Sequence, residues 1–224
     1  MRKKVEFLNH HFYHVYNRGV DIRRIFEDEN DYVRFVHSLF EFNDQYPALP
    51  FSQVYEKVRK RERELLVNII CFTLMPNHFH LILEQLKEGG ITKFMRKLGT
   101  GYTMYFNEKY KRTGALFEGR FKVILVGSDE YLLHLSRYIH LNPVELIENH
   151  WKENGIQNFG EVKNFLGRYR WSSFLDYIGI KNFPSIIKKD FLLGYFREPG
   201  DYKNFVWEFL VKDLALIKEL LLEE

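Results

Sequence analysis

Apolar and polar positions along this chain change period several times, and the changes mark out its elements. Phe12 to Asn17 alternates as a strand does and stops at Arg18-Gly19. Between Glu27 and Gln45, the residues Tyr32, Phe35, Val36, Leu39 and Phe40 recur at helical spacing. Acidic residues crowd the first turn of that helix, where its dipole favours them. Pro47 and Pro50 break it. Gln53 to Leu65 follows, carrying Lys57, Arg59, Lys60, Arg61 and Arg63. This charged stretch is predicted as a solvated linker helix, with a DNA-contacting segment as the alternative.

Leu66 to Leu74 is an apolar run that predicts a central strand, Met75-Pro76-Asn77 a turn, and His78 to Glu84 the second strand of a hairpin. Gly89-Gly90 opens a long helix from Ile91 to Lys111. Thr113-Gly114 is a turn, and Phe121 to Val126 another strand. Ser128 fits the N-cap of a helix from Asp129 to His140, which ends before Asn142-Pro143 because proline disfavours helix in the residue before it. Gly155 to Gly167 reads as irregular or weakly helical, and Tyr169 to Ser173 leads to a short helix ending at Gly179. Val206 to Leu222 is apolar on one face. The order strand, helix, strand, strand, helix, strand, helix predicts an α+β protein with a central antiparallel sheet and flanking helices.

Composition adds boundaries. The 224 residues are 46% hydrophobic and 28% charged, enough to build a substantial core. A net charge of only +3 leaves the placement of cations more informative than their sum. The single cysteine, Cys71, cannot form an internal disulfide or a thiolate metal site alone, which fits a reducing, cytoplasmic setting. No signal peptide or membrane span is predicted. The 21 Phe, 14 Tyr and 3 Trp mostly fill the core, and some are available to stack on unpaired bases.

The candidate chemistry begins with Asn77-His78-Phe79-His80. Alternation on a strand points His78 and His80 to the same face, with Cα atoms about 6.6–6.8 Å apart, so both imidazoles can lean onto one ion. Added oxygen ligands would admit Mg²⁺ or Mn²⁺. The plain alternative is a polar strand face. Tyr131, His134 and Tyr138 share one side of the Asp129–His140 helix, a side able to meet the histidine pair. A tyrosine hydroxyl can attack phosphorus to form a covalent intermediate, although packing is the usual role of a tyrosine.

Together these pieces resemble the single-tyrosine transposases of the His-hydrophobic-His class, most closely the REP-associated tyrosine transposases related to the insertion-sequence 200 type. The likeness runs through Tyr13-His14-Val15-Tyr16-Asn17-Arg18-Gly19, Met75-Pro76-Asn77-His78-Phe79-His80, Gly114 to Lys122, Tyr131-Leu132-Leu133, Arg137 to Val144, and Tyr169 to Ser173. It implies a ferredoxin-like catalytic domain over 1–145, with a charged helical insertion near 46–65, and a mostly helical C-terminal extension over 146–224 packed on it. It also implies metal ligation by His78 and His80, and a Tyr131 nucleophile that leaves a 5′-phosphotyrosine link and a free 3′-hydroxyl. Relatives supply a third ligand four positions after the tyrosine. Here that position is Leu135, which cannot ligate, and His134 is the candidate in its place, a surface histidine being the alternative.

The implied partner is single-stranded DNA carrying an imperfect hairpin. Arg18, Arg120, Lys122 and Arg137 are candidate DNA contacts because they lie within the shared motifs; Lys93, Arg96 and Lys97 form a second basic patch. For each, the plain alternative is a solubilising surface charge, and Arg137 could equally pair with a carboxylate such as Glu118. The leading expectation is a metal-dependent DNA-nicking and strand-transfer enzyme acting near the nucleoid. The alternatives are a hairpin-binding protein that does not cut and a hydrolase that activates water. No protein partner is evident, and the long extension favours a monomer over a dimer.

Overall fold

The structure, a computed structural model, describes residues 6–47 and 62–212. Among the described residues, the strands and α-helices up to residue 141 are β1 (Phe12–Arg18), α1 (Glu29–Glu41), β2 (Val67–Met75), β3 (His78–Gln85), α2 (Gly90–Lys109), β4 (Lys122–Val126) and α3 (Asp129–Leu141). The strands form one sheet in the order β2-β3-β1-β4, with each neighbouring pair antiparallel. This is the ferredoxin-like arrangement with helices on both faces. The stretch Asn142–Leu146 continues from α3 as a 3₁₀ turn. After it come α4 (Trp151–Asn154), α5 (Phe159–Leu166), α6 (Phe174–Tyr177), α7 (Asp190–Leu193) and α8 (Pro199–Lys212). The cationic run Lys57 to Arg61 and the tail beyond 212 lie outside the described residues. Among the described residues, no helix is long and apolar enough to cross a membrane.

Strand alternation divides the sheet into two faces. Tyr13 and Val15 of β1, Phe72 and Leu74 of β2, and Phe79, Leu81 and Leu83 of β3 share one core with α1 and α2. The opposite face meets α3. There Ile70, Cys71 and Ile82 pack with Leu132, Leu135 and Ile139, and the cluster extends to Trp151, Tyr177, Tyr202 and Val206 of the C-terminal segment. Cys71 is a fully buried member of that core, and burial pushes its thiol pKa up. The β2–β3 register shifts between Ile69 and Cys71, which lets Ile70 and Cys71 both join this cluster.

Two helix ends differ from the sequence pattern for local reasons. Asp28 and Asp31 form a reciprocal capping box that starts α1 at Glu29. The same helix stops at Glu41 because Asn43 is drawn to the start of β2, its side chain accepting from Leu66 N and Val67 N (both 3.1 Å) and donating to Val67 O (2.8 Å). In α3, Ser128 caps the N-terminus by accepting from Tyr131 N (3.1 Å), as predicted. The helix ends at Leu141, before Asn142-Pro143 as predicted. Pro143 sits in the first positions of the following 3₁₀ turn, where its missing N–H is no loss, so the chain runs on from the helix without a gap.

The C-terminal segment grips β2 directly. Ser172 pairs antiparallel with Thr73, and Leu74 N donates to Trp171 O (2.9 Å). Trp171 stacks on Tyr32 of α1 at 4.7 Å, so it belongs to the α1/α2 core and is not presented to a ligand.

Candidate active site

The face of the sheet beneath α3 carries a polar row. In register across β1 and β3, Tyr16 lies opposite His80 and Arg18 opposite His78; across β1 and β4, Tyr16 lies opposite Lys122. The alternation that sends Tyr13, Val15, Phe79 and Leu81 into the other core therefore delivers His14, Tyr16, His78 and His80 to this face.

The two histidine rings of β3 meet edge to face, with centroids 5.1 Å apart. Both rings are hydrogen-bonded at Nδ1. His78 Nδ1 donates to Asn77 Oδ1 at 2.6 Å, and His80 Nδ1 shares a 2.9 Å hydrogen bond with His14 Nε2. A proton held at Nδ1 puts the ligating lone pair on Nε2. His80 is 3% exposed. Burial pulls its pKa well down, and the neighbouring His78, His14 and Lys152 act in the same direction. His78 is pulled down to about 4, first by burial and then by the charges of Lys152 and Arg18. Both imidazoles are therefore neutral at physiological pH, the state a metal ligand requires.

The α3 side of the site is built by Tyr138 and Asn142. Tyr138 is 1% exposed, and its ring stands edge-on to His80 with centroids 6.2 Å apart. One turn later, Asn142 is 3% exposed and its amide nitrogen donates to Tyr138 O (3.2 Å). Asn142 also acts on His78, in the sense that raises its pKa against the larger lowering by burial, and with its amide nitrogen donating to Tyr138 O the oxygen is the atom suited to ligation. Two imidazole nitrogens and an amide oxygen suit a borderline or hard divalent ion whose remaining positions are filled by phosphate and water. Among the described residues there is no cluster of three His, Cys, Asp or Glu side chains that would form an all-protein cage.

Tyr131 and His134 are positioned differently from this pair. Tyr131 lies in the first turn of α3, about 10.5 Å along the axis from Tyr138, and packs against the edge of the apolar cluster of Leu132, Leu135 and Ile82. His134 faces the other helices: its Nδ1 meets Arg137 Nη2, Glu130 lies 4.0 Å from its Nε2, and Phe205 covers its ring. Leu135 is buried in the core.

The expected DNA contacts separate into three groups. Arg18 and Lys122 flank the histidine face; Arg18 is held by Glu118 at 2.6 Å, and Lys122 Nζ sits 5.3 Å from the centre of the Tyr16 ring. Arg120 is exposed on the segment tied to the end of β1 by Glu118 N donating to Arg18 O (3.0 Å). Gly19 makes that end of β1 possible, because a Cβ there would lie 2.2 Å from Arg23 O. Lys93, Arg96 and Lys97 belong to α2, on the far side of the sheet from the histidines, and Lys97 donates to Asp44 O and Tyr46 O (both 2.5 Å). Arg137 is placed differently from the others. It is 5% exposed, with its guanidinium 4.5 Å from the Phe205 ring centre and 4.1 Å from that of Phe209, so α8 covers it, and it is hydrogen-bonded with His134.

Sequence reasoning assigned no site role to Asn142, His14 or Lys152. The signal for Asn142 was present, since it stands four residues after a tyrosine; the signal for the other two is purely spatial.

The chain thus presents two histidines on one face of a ferredoxin-like sheet, beneath α3. Residues 37–142 match the family model described as Transposase IS200 like. The match ends on Asn142. Among solved structures, the chain is similar to a REP-associated tyrosine transposase bound to a REP hairpin, with a TM-score of 0.50 and 13% identity over 84% of this chain and 91% of that one. At that identity the likeness concerns the fold. No curated protein matches the chain.

Proposed function

We propose that this protein is a metal-dependent transposase that cuts and rejoins single-stranded DNA beside a hairpin, with Tyr138 as its nucleophile. The observation carrying this reading is the packing of the Tyr138 ring on His80, with Asn142 one helical turn away and its amide nitrogen on Tyr138 O. The hairpin substrate is suggested by the similar transposase bound to a REP hairpin, and by the family model that residues 37–142 match.

In this reading His78, His80 and the Asn142 amide oxygen hold Mg²⁺ or Mn²⁺. The bound ion supplies Lewis-acid polarisation of the scissile phosphate. His14 and Asn77 fix the orientation of the two imidazoles. Arg18 and Lys122 receive the DNA backbone on either side of the histidine row. Tyr138 attacks phosphorus, the 3′-oxygen leaves, and the DNA is held as a 5′-phosphotyrosine ester. Attack by another 3′-hydroxyl reverses the step and joins strands, with one phosphodiester replacing another.

The test is an adduct assay with labelled single-stranded hairpins bearing flanking sequence, with Mn²⁺ or a chelator, read on a denaturing gel. Tyr138→Phe abolishes the covalent product and Tyr131→Phe retains it. The reverse pattern returns the nucleophile to Tyr131. Binding with no adduct in the unaltered protein overturns the enzymatic reading in favour of a hairpin-binding protein, and cleavage that survives both substitutions points to an activated water.

A further inference from the structure

A residue from outside the ferredoxin-like core reaches the hydroxyl of Tyr138. Lys152 Nζ lies 3.3 Å from the Tyr138 hydroxyl and 4.9 Å from the centre of its ring. Its position is not that of a drifting surface cation. It follows Trp151, which is 1% exposed and locked into the core beneath α3. His150, before it, starts α4 from a left-handed conformation at φ 61°, and His150 N donates to Glu145 Oε1 at 3.2 Å.

We propose that Lys152 is a catalytic residue that activates Tyr138, its ammonium donating a hydrogen bond to the phenolic oxygen and stabilising the phenolate that attacks phosphorus. The proposal rests on Tyr138 being the nucleophile. A phenol is a poor nucleophile at neutral pH, and an opposite charge within about 4 Å favours its ionised form by one to three pK units. Around the ring, His80 of β3 presents its imidazole edge. Asn142, just past the end of α3, engages the Tyr138 carbonyl, and on α3 Arg137 and His134 pair with each other under α8.

The step balances without a further reactant. The phenolic proton passes to water and the Oη–P bond forms. The P–O3′ bond breaks with its electron pair on the 3′-oxygen, and that oxygen takes a proton from water to end as a hydroxyl. Lys152 keeps its proton throughout. A residue of the C-terminal segment thus completes a site whose other groups lie on the ferredoxin-like core and at the end of α3.

Two measurements on the full chain test this. In the adduct assay, Lys152→Met lowers the rate at neutral pH about tenfold to hundredfold and recovers as pH rises, while Lys152→Arg retains most of the rate. In metal-free protein labelled with ¹³Cζ-tyrosine, the resonance missing from Tyr138→Phe titrates at higher pH in Lys152→Met than in the unaltered chain. Lys152→Gln, which keeps a polar end, provides a second variant should the methionine form fold poorly. An equal loss at every pH, with the Tyr138 titration unmoved, makes Lys152 a DNA contact and overturns the proposal; so does an unchanged rate. The spectroscopic titration reads the lysine–tyrosine coupling directly, so it separates failure of this proposal from failure of Tyr138 as nucleophile, which the phenylalanine variants decide.

Discussion

His14 and His80 share a buried hydrogen bond, Nε2 to Nδ1, at 2.9 Å across the β1–β3 pairing. Burial pulls the pKa of His14 down to about 3, so a neutral ring faces His80. A neutral partner can accept the Nδ1 proton of His80 and thereby direct the Nε2 lone pair outward.

This gives His14 a measurable role without contact to substrate. His14→Ala is expected to lower Mn²⁺ affinity about tenfold to hundredfold, in the range of lost outer-sphere partners. Calorimetric titration with Mn²⁺ alone checks it. An unchanged binding isotherm in a folded variant removes His14 from the site.

Asn142 and Leu135 make opposite predictions. Asn142→Ala raises the Mn²⁺ concentration needed for half-maximal adduct, whereas Leu135→Gln gains no ligand. Leu135 lies in the apolar cluster under α3, so a glutamine there costs about 2–4 kcal/mol of stability. Thermal melts and metal titrations on the two variants would contradict this picture if Leu135→Gln tightened Mn²⁺ binding.

The basic residues also divide. Lys122→Ala and Arg18→Ala each reduce by about one the slope of log binding constant against log salt, as the loss of one phosphate contact does. Arg137→Ala leaves that slope alone and lowers stability by about 1–3 kcal/mol, because its guanidinium packs on Phe205 and Phe209. Filter binding across a salt series, paired with denaturant melts, distinguishes the two behaviours.

Acid stability depends on Asp31, which is fully buried at the start of α1. Burial pushes its pKa up, but bonds from Lys109, the Glu27 backbone, Tyr110 and Tyr105 outweigh that and leave it below the ordinary 3.8. As pH falls, the unfolded chain takes up this proton before the folded one does. The stabilisation is therefore complete above about 4 and is lost as pH drops through the lower folded value. Asp31→Asn should cost about 2–4 kcal/mol at neutral pH and flatten the acid limb of the stability curve. An acid limb identical to that of the unaltered chain would show that other carboxylates carry it.

Much of this was legible in the sequence. The hairpin around Met75-Pro76-Asn77, the alternation that pairs His78 with His80, and the Ser128 cap are local patterns, and local geometry produced them. The choice of tyrosine was not local. Tyr131 and Tyr138 are seven residues apart, almost two full turns, so helical phase puts both on one face and cannot say which turn crosses the histidines. Counting four residues from Tyr131 ends on Leu135, a core residue; counting four from Tyr138 ends on Asn142. Arg137 reads as a surface cation until α8 is laid over it, and Lys152 reads as one until Trp151 anchors its backbone. Both depend on contacts between segments far apart in the chain, which periodicity does not encode.

Beneath α3, His140 shares hydrogen bonds with Ser173 Oγ at 2.8 Å and with the Tyr202 hydroxyl at 2.7 Å, and Tyr202 donates onward to Ser136 at 3.1 Å. Ser173 in turn accepts from Phe72 N of β2 at 2.9 Å. The helix that carries Tyr138 is thus clasped from below by β2, by the 171–173 segment and by α8, all of its own chain. Swinging it outward would strand several polar groups in an apolar interior at about 1–3 kcal/mol each. For such a helix, travel is the expensive option: under the proposed function, strands of DNA come to a stationary tyrosine, and any exchange of ends is accomplished by movement of the nucleic acid.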